Sequence, residues 1–381
     1  MGLLRSMPRL LAAAATILGL AGCGATPSPG AGGGPVPVSG SAHPTASSTA
    51  SSSGHLMYLG TGRRFTYAVD SGDGHIVWKH EFPGAVGNPP AVAGGLLYLA
   101  GATTLDAADA ATGAPRWSVP IPGPYAGGYP VVTDGVVIVN RHDGSLVAVD
   151  AATGAPRWTK SPHQGMGVVG SYPIGDLLAD NGVVYFRGGD GDDHVYALAA
   201  ATGNPLWTVD QHCRGVLAPV SDGARIFLNC WIGNTGRLGV HALDARTGAT
   251  LWTHEISGAP ILDHGVVFAA NHVLGATTDV GRVDAMDAAT GAVRWSVSTP
   301  GIRTPDVGAA ADGAVYIVDY VGDLAALDVT TGTTRWTIDG SNVSIVLRAG
   351  DGLAFACQDD FINAYDSRTG VKRWSAAYRE A

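Results

Sequence analysis

The chain has 381 residues, with 23 Lys and Arg against 32 Asp and Glu, so its formal charge is −9. This acidity is spread without a basic cluster, which argues against a nucleic-acid partner. Hydrophobic residues make up 46% of the chain and charged residues only 14%, while Gly occurs 55 times. Such a composition favours many turns and much β-structure over long helices.

The first 22 residues are predicted to be a lipoprotein signal peptide. Arg5 and Arg9 precede or flank an apolar run over 10–20 that is too short to span a bilayer. A basic start, a short apolar core and small residues before a cut site are typical of secretory signals. The ending Leu-Ala-Gly-Cys at 20–23 resembles the lipobox of bacterial lipoproteins, in which the Cys becomes the first residue and carries the lipid. This resemblance implies lipid attachment, including palmitate, at Cys23; an ordinary signal with an incidental Cys23 is the alternative.

Residues 23–54 are predicted to be a disordered tether. From Gly24 to Gly54, 28 of 31 residues are Gly, Pro, Ala, Ser or Thr. Such a segment cannot bury enough apolar surface to fold. As a flexible coil it spans roughly 30 Å, enough to hold a folded domain clear of a membrane surface.

The rest of the chain contains eight copies of an eleven-residue hairpin pattern, which is clearest at Ala148–Trp158 (AVDAATGAPRW). Counting back from each Trp, Gly lies four residues earlier, Thr five, Asp eight and Ala ten. Ala, Gly and Trp are kept in every copy, whereas Ala199 replaces the Asp of the fourth copy and Asp73 the Thr of the first. Those two turns are expected to be the loosest. The marker tryptophans are Trp78, Trp117, Trp158, Trp207, Trp252, Trp295, Trp336 and Trp374.

The spacing of these markers, 38 to 49 residues, is typical of propeller blades made of four short strands. The Asp can accept backbone N–H bonds at the turn, Gly can take a positive φ, and the Trp ring can cover the neighbouring blade. Residues 55–381 are therefore predicted to form an all-β, eight-bladed β-propeller of four-stranded antiparallel blades. The first blade has a clear second strand at Leu56–Gly60 but no convincing innermost strand, and the sequence leaves its source open.

The unit resembles the Trp-docking repeat of the PQQ-like eight-bladed β-propellers, and the resemblance covers 55–381. That superfamily includes quinoprotein alcohol dehydrogenases, which use pyrroloquinoline quinone and calcium. It also includes the non-enzymatic propeller lipoprotein of the outer-membrane β-barrel assembly machinery, and sensor-kinase ectodomains. By its length and lipobox this chain resembles the second group most.

The enzymatic members share a vicinal Cys-Cys pair over the quinone, acidic and amide ligands for calcium, and a catalytic Asp. Here Cys213 is followed by Arg214 and Cys230 by Trp231, so the chain has no vicinal pair. Asp319 and Asp323 lie near one mouth, but no motif marks either as a base. We therefore expect no catalytic residues, no bound cofactor and no metal site.

One face of the ring, where the second strands end, is the tentative ligand or partner face. Trp231, the one Trp outside the repeat, could stack on a ring there, although inter-blade packing is the alternative. The loop 187–194 (RGGDGDDH) could offer carboxylates to calcium, or be a solvated acidic loop. The candidates on this face are Arg141, His142, Arg187, His212, Arg214, Trp231, Arg303, Arg348 and Gln358.

A disulfide is expected between Cys213 and Cys230. The cysteines of an exported protein can be oxidised to disulfides, and the turn at Asp222-Gly223 lies nearly midway between these two. Facing residues of one hairpin fall within the Cα separation of about 4.4–6.8 Å that a disulfide needs. Cys357 is then left unpaired.

These features predict an extracytoplasmic, membrane-anchored lipoprotein that is monomeric and whose non-catalytic propeller is a scaffold for a protein or envelope partner. The alternative is a quinone- or small-molecule-binding propeller, either like the PQQ-dependent dehydrogenases or sensory.

Overall fold

The structure is a computed structural model. The structure describes residues 56–60, 65–82, 90–101, 103–121, 129–141, 143–160, 177–188, 193–211, 219–233, 235, 237–271, 280–300, 306–318, 322–339, 343–358 and 361–377.

The described residues form 31 strands in eight antiparallel sheets. In chain order the strands of blade 1 are β1 Leu56–Gly60, β2 Phe65–Asp70 and β3 Ile76–Glu81; of blade 2, β4 Ala91–Ala93, β5 Leu96–Ala100, β6 Thr104–Asp109 and β7 Pro115–Pro120; of blade 3, β8 Val131–Thr133, β9 Val136–Asn140, β10 Leu146–Asp150 and β11 Pro156–Lys160; of blade 4, β12 Leu178–Asp180, β13 Val183–Arg187, β14 His194–Ala199 and β15 Pro205–Asp210. Those of blade 5 are β16 Val220–Ser221, β17 Arg225–Trp231, β18 Leu238–Asp244 and β19 Thr250–His254; of blade 6, β20 Ile261–Asp263, β21 Val266–Asn271, β22 Val280–Asp287 and β23 Val293–Pro300; of blade 7, β24 Asp306–Ala311, β25 Ala314–Val318, β26 Leu324–Asp328 and β27 Thr334–Ile338; of blade 8, β28 Val343–Gly350, β29 Leu353–Gln358, β30 Phe361–Asp366 and β31 Lys372–Ala377.

Each blade is a meander in which consecutive strands pair, and blades 2 to 8 each have four strands. Blade 1 has three strands among the described residues. The prediction of an all-β, eight-bladed propeller is confirmed. No helix among the described residues is long and apolar enough to cross a membrane.

The repeated hairpin owes its shape to its Asp and its Gly. In blade 3 the Asp150 Oδ1 accepts hydrogen bonds from Thr153 N (3.0 Å) and Thr153 Oγ1 (2.8 Å), while Gly154 N donates to Asp150 O (2.8 Å). Gly154 has a φ of +73°, in the left-handed region that favours Gly. The side chain and the backbone of one Asp therefore fix the whole turn.

Gly154 also meets a second demand, which comes from the preceding blade. A Cβ added to Gly154 would lie 2.8 Å from the ring of Trp117, so only Gly allows the ring to lie flat on the hairpin. Trp117 Nε1 then donates to the carbonyl oxygen of Ala151 (3.1 Å). The Trp–Gly contact explains why both residues recur together.

The same N–H to carbonyl bond joins every pair of neighbouring blades at 2.8–3.1 Å. The donors and acceptors are Trp78 to Ala110, Trp117 to Ala151, Trp158 to Ala200, Trp207 to Ala245, Trp252 to Ala288, Trp295 to Val329, Trp336 to Ser367 and Trp374 to Ser71. The last of these bonds runs from blade 8 to blade 1 and closes the ring.

Beneath each docked Trp lies an apolar cluster shared by two blades, so the core is distributed over eight junctions. An aromatic residue of the second strand tilts against the Trp in seven blades, as Tyr98 does against Trp117 at a centroid separation of 5.9 Å. In blade 3 that position is Ile138, which pairs with Ala148.

The two hairpins that depart from the pattern keep the backbone bonds of the turn. Gly203 N donates to Ala199 O (2.7 Å) although Ala199 has no carboxylate. In the first hairpin Gly74 N donates to Asp70 O (2.9 Å), and Asp73 Oδ1 accepts from His75 N (3.0 Å) in place of the missing Thr interaction.

Candidate functional site

A buried polar position directly precedes the repeated Ala in four of the eight blades. Its occupants are Asp106, His241, Asp284 and Asn363, all no more than 7% exposed. Sequence analysis missed this position because it considered only the residues shared by all copies. The available signal was a polar side chain in an otherwise apolar strand, beside the Ala.

Asp284 in β22 is the centre of the largest polar cluster of this kind. Its Oδ2 accepts a hydrogen bond from His254 Nε2 (2.8 Å) and lies 2.9 Å from Arg282 Nη2 in an ion pair, and its Oδ1 accepts a hydrogen bond from Ser296 Oγ (2.6 Å). Burial by itself would raise the pKa of Asp284, but the bonds from His254 and Ser296 and the charge of Arg282 outweigh it and lower the pKa. The Asp284 carboxylate is therefore a fixed negative charge at the junction of blades 5 and 6.

A pocket of about 520 Å³ lies against this cluster. Besides His254 and Arg282, its walls include Arg237 and Glu255, which form an ion pair in which Arg237 Nη1 lies 2.8 and 3.0 Å from the two carboxylate oxygens. The remaining lining residues are Leu238, Ile256, Ser257 and Asn271. Leu238 begins β18, Ile256 and Ser257 follow the end of β19, and Asn271 ends β21. These strand ends lie opposite the Thr-Gly hairpin turns, which places the pocket on the predicted partner face.

His241 occupies the same repeat position one blade earlier but is chemically different. Burial lowers its pKa to about 4, so the imidazole is neutral at pH 7. Its Nδ1 lies 3.2 Å from Gln211 Oε1, and its Nε2 is buried without a hydrogen-bond partner. This residue belongs to the junction of blades 4 and 5.

Five of the candidates predicted for the partner face lie within the described residues, and each contacts residues other than the remaining candidates. Arg141 pairs with Asp143 (3.2 Å), Arg187 ends β13, and Trp231 ends β17, where it pairs with Leu238 of β18. Gln358 Oε1 accepts a bond from Asn363 Nδ2 (3.1 Å). His142, His212, Arg214 and Arg303 lie outside the described residues.

Among the five described candidates, Arg348 lies on an innermost strand, β28. Burial lowers its pKa, while the nearby negative charge of Asp351 opposes the change. A guanidinium keeps its charge at physiological pH even so. Arg348 therefore brings a positive charge to the inner part of blade 8.

The cysteines depart from the predicted pattern at one point. Cys230 and Cys357 are both fully buried and both disulfide-bonded, so the expectation that Cys357 is unpaired is wrong. That expectation came from considering a single hairpin, which gave no information on Cys357 in blade 8. Cys213 lies outside the described residues, and its pairing with Cys230 stays a prediction.

Half of the predicted calcium loop over 187–194, residues 189–192, lies outside the described residues. Among the described residues, one group of carboxylate and imidazole ligands has donor atoms within 4.8 Å of one another, namely Asp70, Asp73 and His75. It lies at the exposed hairpin turn of blade 1, where His75 Nδ1 is 2.6 Å from Asp73 Oδ1. A hydrogen bond between the imidazole and the carboxylate accounts for this contact.

The closed ring and its eight docked tryptophans define a PQQ-like eight-bladed propeller. The sequence matches the family described as outer membrane protein assembly factor BamB over residues 31–105, 101–259 and 234–381, and the chain belongs to that family. Among curated proteins none matches this sequence significantly.

Solved structures share the fold at low sequence identity. BamB from Moraxella catarrhalis is 18% identical, with a TM-score of 0.59 over 77% of this chain and 88% of that chain. The quinohemoprotein alcohol dehydrogenase ADHIIG from Pseudomonas putida HK5 is 17% identical, with a TM-score of 0.53 over 82% of this chain and 69% of that chain. The computationally designed Ika8 protein is 16% identical, with a TM-score of 0.63 over 85% and 94% of the two chains.

Three features of the described residues bear on a quinone site of the dehydrogenase type: the placement of Cys230, that of Trp231, and that of the one carboxylate and imidazole group. Cys230 cannot cap a planar ring, because its side chain is packed in the apolar cluster of blades 4 and 5 with Leu228 and Leu243. Its neighbour Trp231 is half-buried at the end of an antiparallel strand pair. Within the described part of the chain, the ligand group of Asp70, Asp73 and His75 lies on an outer hairpin rather than on an innermost strand.

Proposed function

We propose that this chain is an exported, membrane-tethered propeller that acts as a scaffold for a protein partner and catalyses no redox reaction. The match to the assembly-factor family along 31–381 is the observation that carries the proposal. A leader over 1–22 and a tether over 23–54 beginning at Cys23 would place such a propeller at a membrane surface outside the cytoplasm, as a monomer anchored through its N-terminal lipid.

Partner contacts are proposed at the outer edges of the blades, because each outermost strand leaves one row of backbone groups unpaired within its sheet. In five blades an Arg directly before the marker Trp bridges to the Asp of its own hairpin. These pairs are Arg116–Asp109 and Arg157–Asp150 (2.6 Å), Arg294–Asp287 (2.7 Å), Arg335–Asp328 (2.8 Å) and Arg373–Asp366 (3.2 Å). Such charges protect an edge from indiscriminate pairing.

Blades 1, 4 and 5 differ, since Val77, Leu206 and Leu251 occupy the place of the Arg and are 42%, 54% and 48% exposed. Of these three, blades 4 and 5 are neighbours in the ring. A hydrogen bond connects the outer edges of these two blades. Gln211 directly follows β15, and its Nε2 donates to Thr250 Oγ1 of β19 (3.0 Å). Exposed apolar side chains on neighbouring edges mark a contact site for another protein. We therefore assign the first partner contact to this rim.

The test is cross-linking in native membranes, followed by capture of the tagged full-length chain. We expect one discrete partner with the wild type and its loss with Leu206→Glu/Leu251→Glu. The matched control is Val293→Glu/Val371→Glu, which places one charge at the start of β23 and one directly before β31, at residues 45% and 60% exposed. Equal loss in both double variants would rule out the rim, and the absence of any discrete partner with the wild type would rule out the scaffold.

A further inference from the structure

A buried imidazole lies at the junction of blades 4 and 5, whose outer strands form the proposed rim. His241 in β18 is 5% exposed. Leu228 of β17 is directly opposite His241 in the sheet, and facing residues of an antiparallel pair point to the same side. Leu228 packs in the apolar cluster shared by blades 4 and 5. The imidazole of His241 therefore faces blade 4 from within that apolar junction.

The hydrogen bonds of this ring leave no place for a second proton. Nδ1 lies 3.2 Å from Gln211 Oε1, an amide oxygen that can only accept, so Nδ1 carries the proton of the neutral imidazole. Nε2 is then the unprotonated nitrogen, and it is buried without a hydrogen-bond partner. Protonation of Nε2 would create a positive charge whose new N–H has no acceptor. Such a group is costly to keep in an apolar surrounding.

The described residues that contact the imidazole bring no negative charge to it. Its cross-strand neighbours are Leu228 and Thr253, and its contact from blade 4 is the neutral amide of Gln211. The charged residues and histidines of the surrounding strands are Asp180, Arg187, His194 and Asp210 in blade 4 and Arg225, Asp244 and His254 in blade 5. Burial is the cause of the lowered pKa of His241, about 4, and none of these groups contributes to it.

The direction of the resulting pH dependence can be worked out from this pKa. In the closed junction the pKa of His241 is about 4, below the value of 6.5 for an exposed His. A state that exposes the ring therefore binds the proton more tightly than the closed junction does. The preference for the closed junction is fully present above pH 6.5 and is lost progressively as the pH falls from 6.5 through 4.

The residue that contacts the imidazole also joins the edges of the two blades. Gln211 directly follows β15, the strand that contains Leu206. Its Nε2 donates to Thr250 Oγ1 (3.0 Å), and Thr250 directly precedes Leu251 in β19. Movement of blade 4 away from His241 would break both contacts of Gln211. Such an opening would also separate the two apolar side chains of the rim.

We propose that the junction of blades 4 and 5 is an acid-sensitive joint of the ring, in which protonation of His241 opens the junction and separates Leu206 from Leu251. The opening follows from the contacts of His241 and Gln211 alone. Its effect on a partner rests on the proposed function, in which the rim is the contact site.

The experiment is hydrogen exchange of the full chain at pH 7 and pH 5, measured by mass spectrometry and corrected for the intrinsic effect of pH on exchange. Linkage between pKa values of 6.5 and about 4 requires the opening constant of β15 and β18 to rise about twentyfold between these two conditions. Peptides from β26 in blade 7 should change less. An equal rise in β26 would overturn the proposal, because the effect would then belong to the whole ring.

Gln211→Glu is the most informative variant, since it places a carboxylate against Nδ1 at nearly constant shape. It should raise the pKa of His241 and reduce the rise in exchange at pH 5. His241→Gln cannot titrate and should abolish the rise. His264→Gln is the matched control, because His264 is 91% exposed, and it should behave as the wild type does.

Two measurements guard against a wrong assignment. His212 follows Gln211 and lies outside the described residues, so loss of the pH effect in His212→Gln but not in His241→Gln would overturn the assignment. Direct NMR titration of the His241 ring needs no variant. A ring that is neutral at pH 5 in the closed protein supports the proposal, and a ring that is protonated there contradicts it.

The outcomes of the two proposals are separable. Opening at pH 5 without any change in partner capture would retain the joint and contradict the rim as the contact site. Partner capture that is lost in Leu206→Glu/Leu251→Glu, together with no opening at pH 5, would retain the scaffold and contradict the joint.

Discussion

The junction of blades 1 and 2 and the junction of blades 5 and 6 place an Asp at the same repeat position, with opposite electrostatic results. Asp106 accepts a bond from Thr104 Oγ1 (3.0 Å), and burial raises its pKa although bonds from Ser118 and Thr104 oppose the change. Asp284 has Ser296 in the place of Ser118, but Arg282 in the place of Thr104, and its pKa is lowered.

The histidine that follows the docking Trp by two residues differs between the junctions in the same way. His254 donates to Asp284, whereas the ring of His80 lies 5.8 Å from that of Trp78 and 6.3 Å from that of Phe82, measured between centroids. The repeat thus supplies the same backbone and the same Trp dock twice. Side chains that are not shared by the copies decide whether a buried carboxyl at a junction is a fixed charge.

The largest effect is expected from the feature that the two junctions share. Trp78→Ala and Trp252→Ala each remove a ring between two blades together with its bond to a carbonyl oxygen, and should each lower the free energy of unfolding by about 3–5 kcal/mol. Thermal and urea unfolding measure the loss, with Arg246→Ala as a surface control. A loss at one junction alone would show that the docks are not equivalent, and tolerance at both would contradict the docking role.

A smaller and unequal effect is expected from the carboxyl groups. Asp284→Asn leaves Arg282 and His254 without their anion and should cost about 2 kcal/mol. Asp106→Asn should cost less than about 1 kcal/mol, because an amide can still bond to two hydroxyl groups. Urea unfolding at pH 7 compares the two variants, and equal losses would remove the distinction between the junctions.

The smallest effect is a change of pKa, produced by exchanging the residue two positions before each Asp. Arg282→Thr should raise the pKa of Asp284 and Thr104→Arg should lower that of Asp106, each by roughly one unit or more. In the wild type, the stability contributed by Asp284 is present above the unfolded Asp pKa of about 3.9 and is lost as the pH falls below it. The contribution linked to Asp106 has the opposite sign, being present at low pH and lost as the pH rises through its raised pKa.

Carboxyl ¹³C NMR titration of the wild type and both variants measures these values. Variants whose two carboxyl groups titrate as in the wild type would show that burial alone, rather than the Arg, sets the difference.

The sequence predicted the parts of the structure that repeat and missed those that occur once. The spacing of Trp, Gly, Asp and Ala indicated the ring because a hairpin that docks on its neighbour must repeat its turn chemistry. The contact between Gly154 and the Trp117 ring could not be derived, since nothing in one hairpin says where the preceding Trp lies. The Asp284 cluster was missed because its residues come from β19, β22 and β23, and only the folded ring brings them together.

The central claim, that this propeller is a scaffold rather than a quinone enzyme, is tested most directly by titrating the purified chain with pyrroloquinoline quinone and calcium. The titration is followed by dye-coupled assay with alcohols and sugars. The account predicts neither tight binding of the quinone nor turnover. Micromolar binding with turnover would contradict it in favour of an enzyme, and stoichiometric binding without turnover would contradict it in favour of a sensor or carrier.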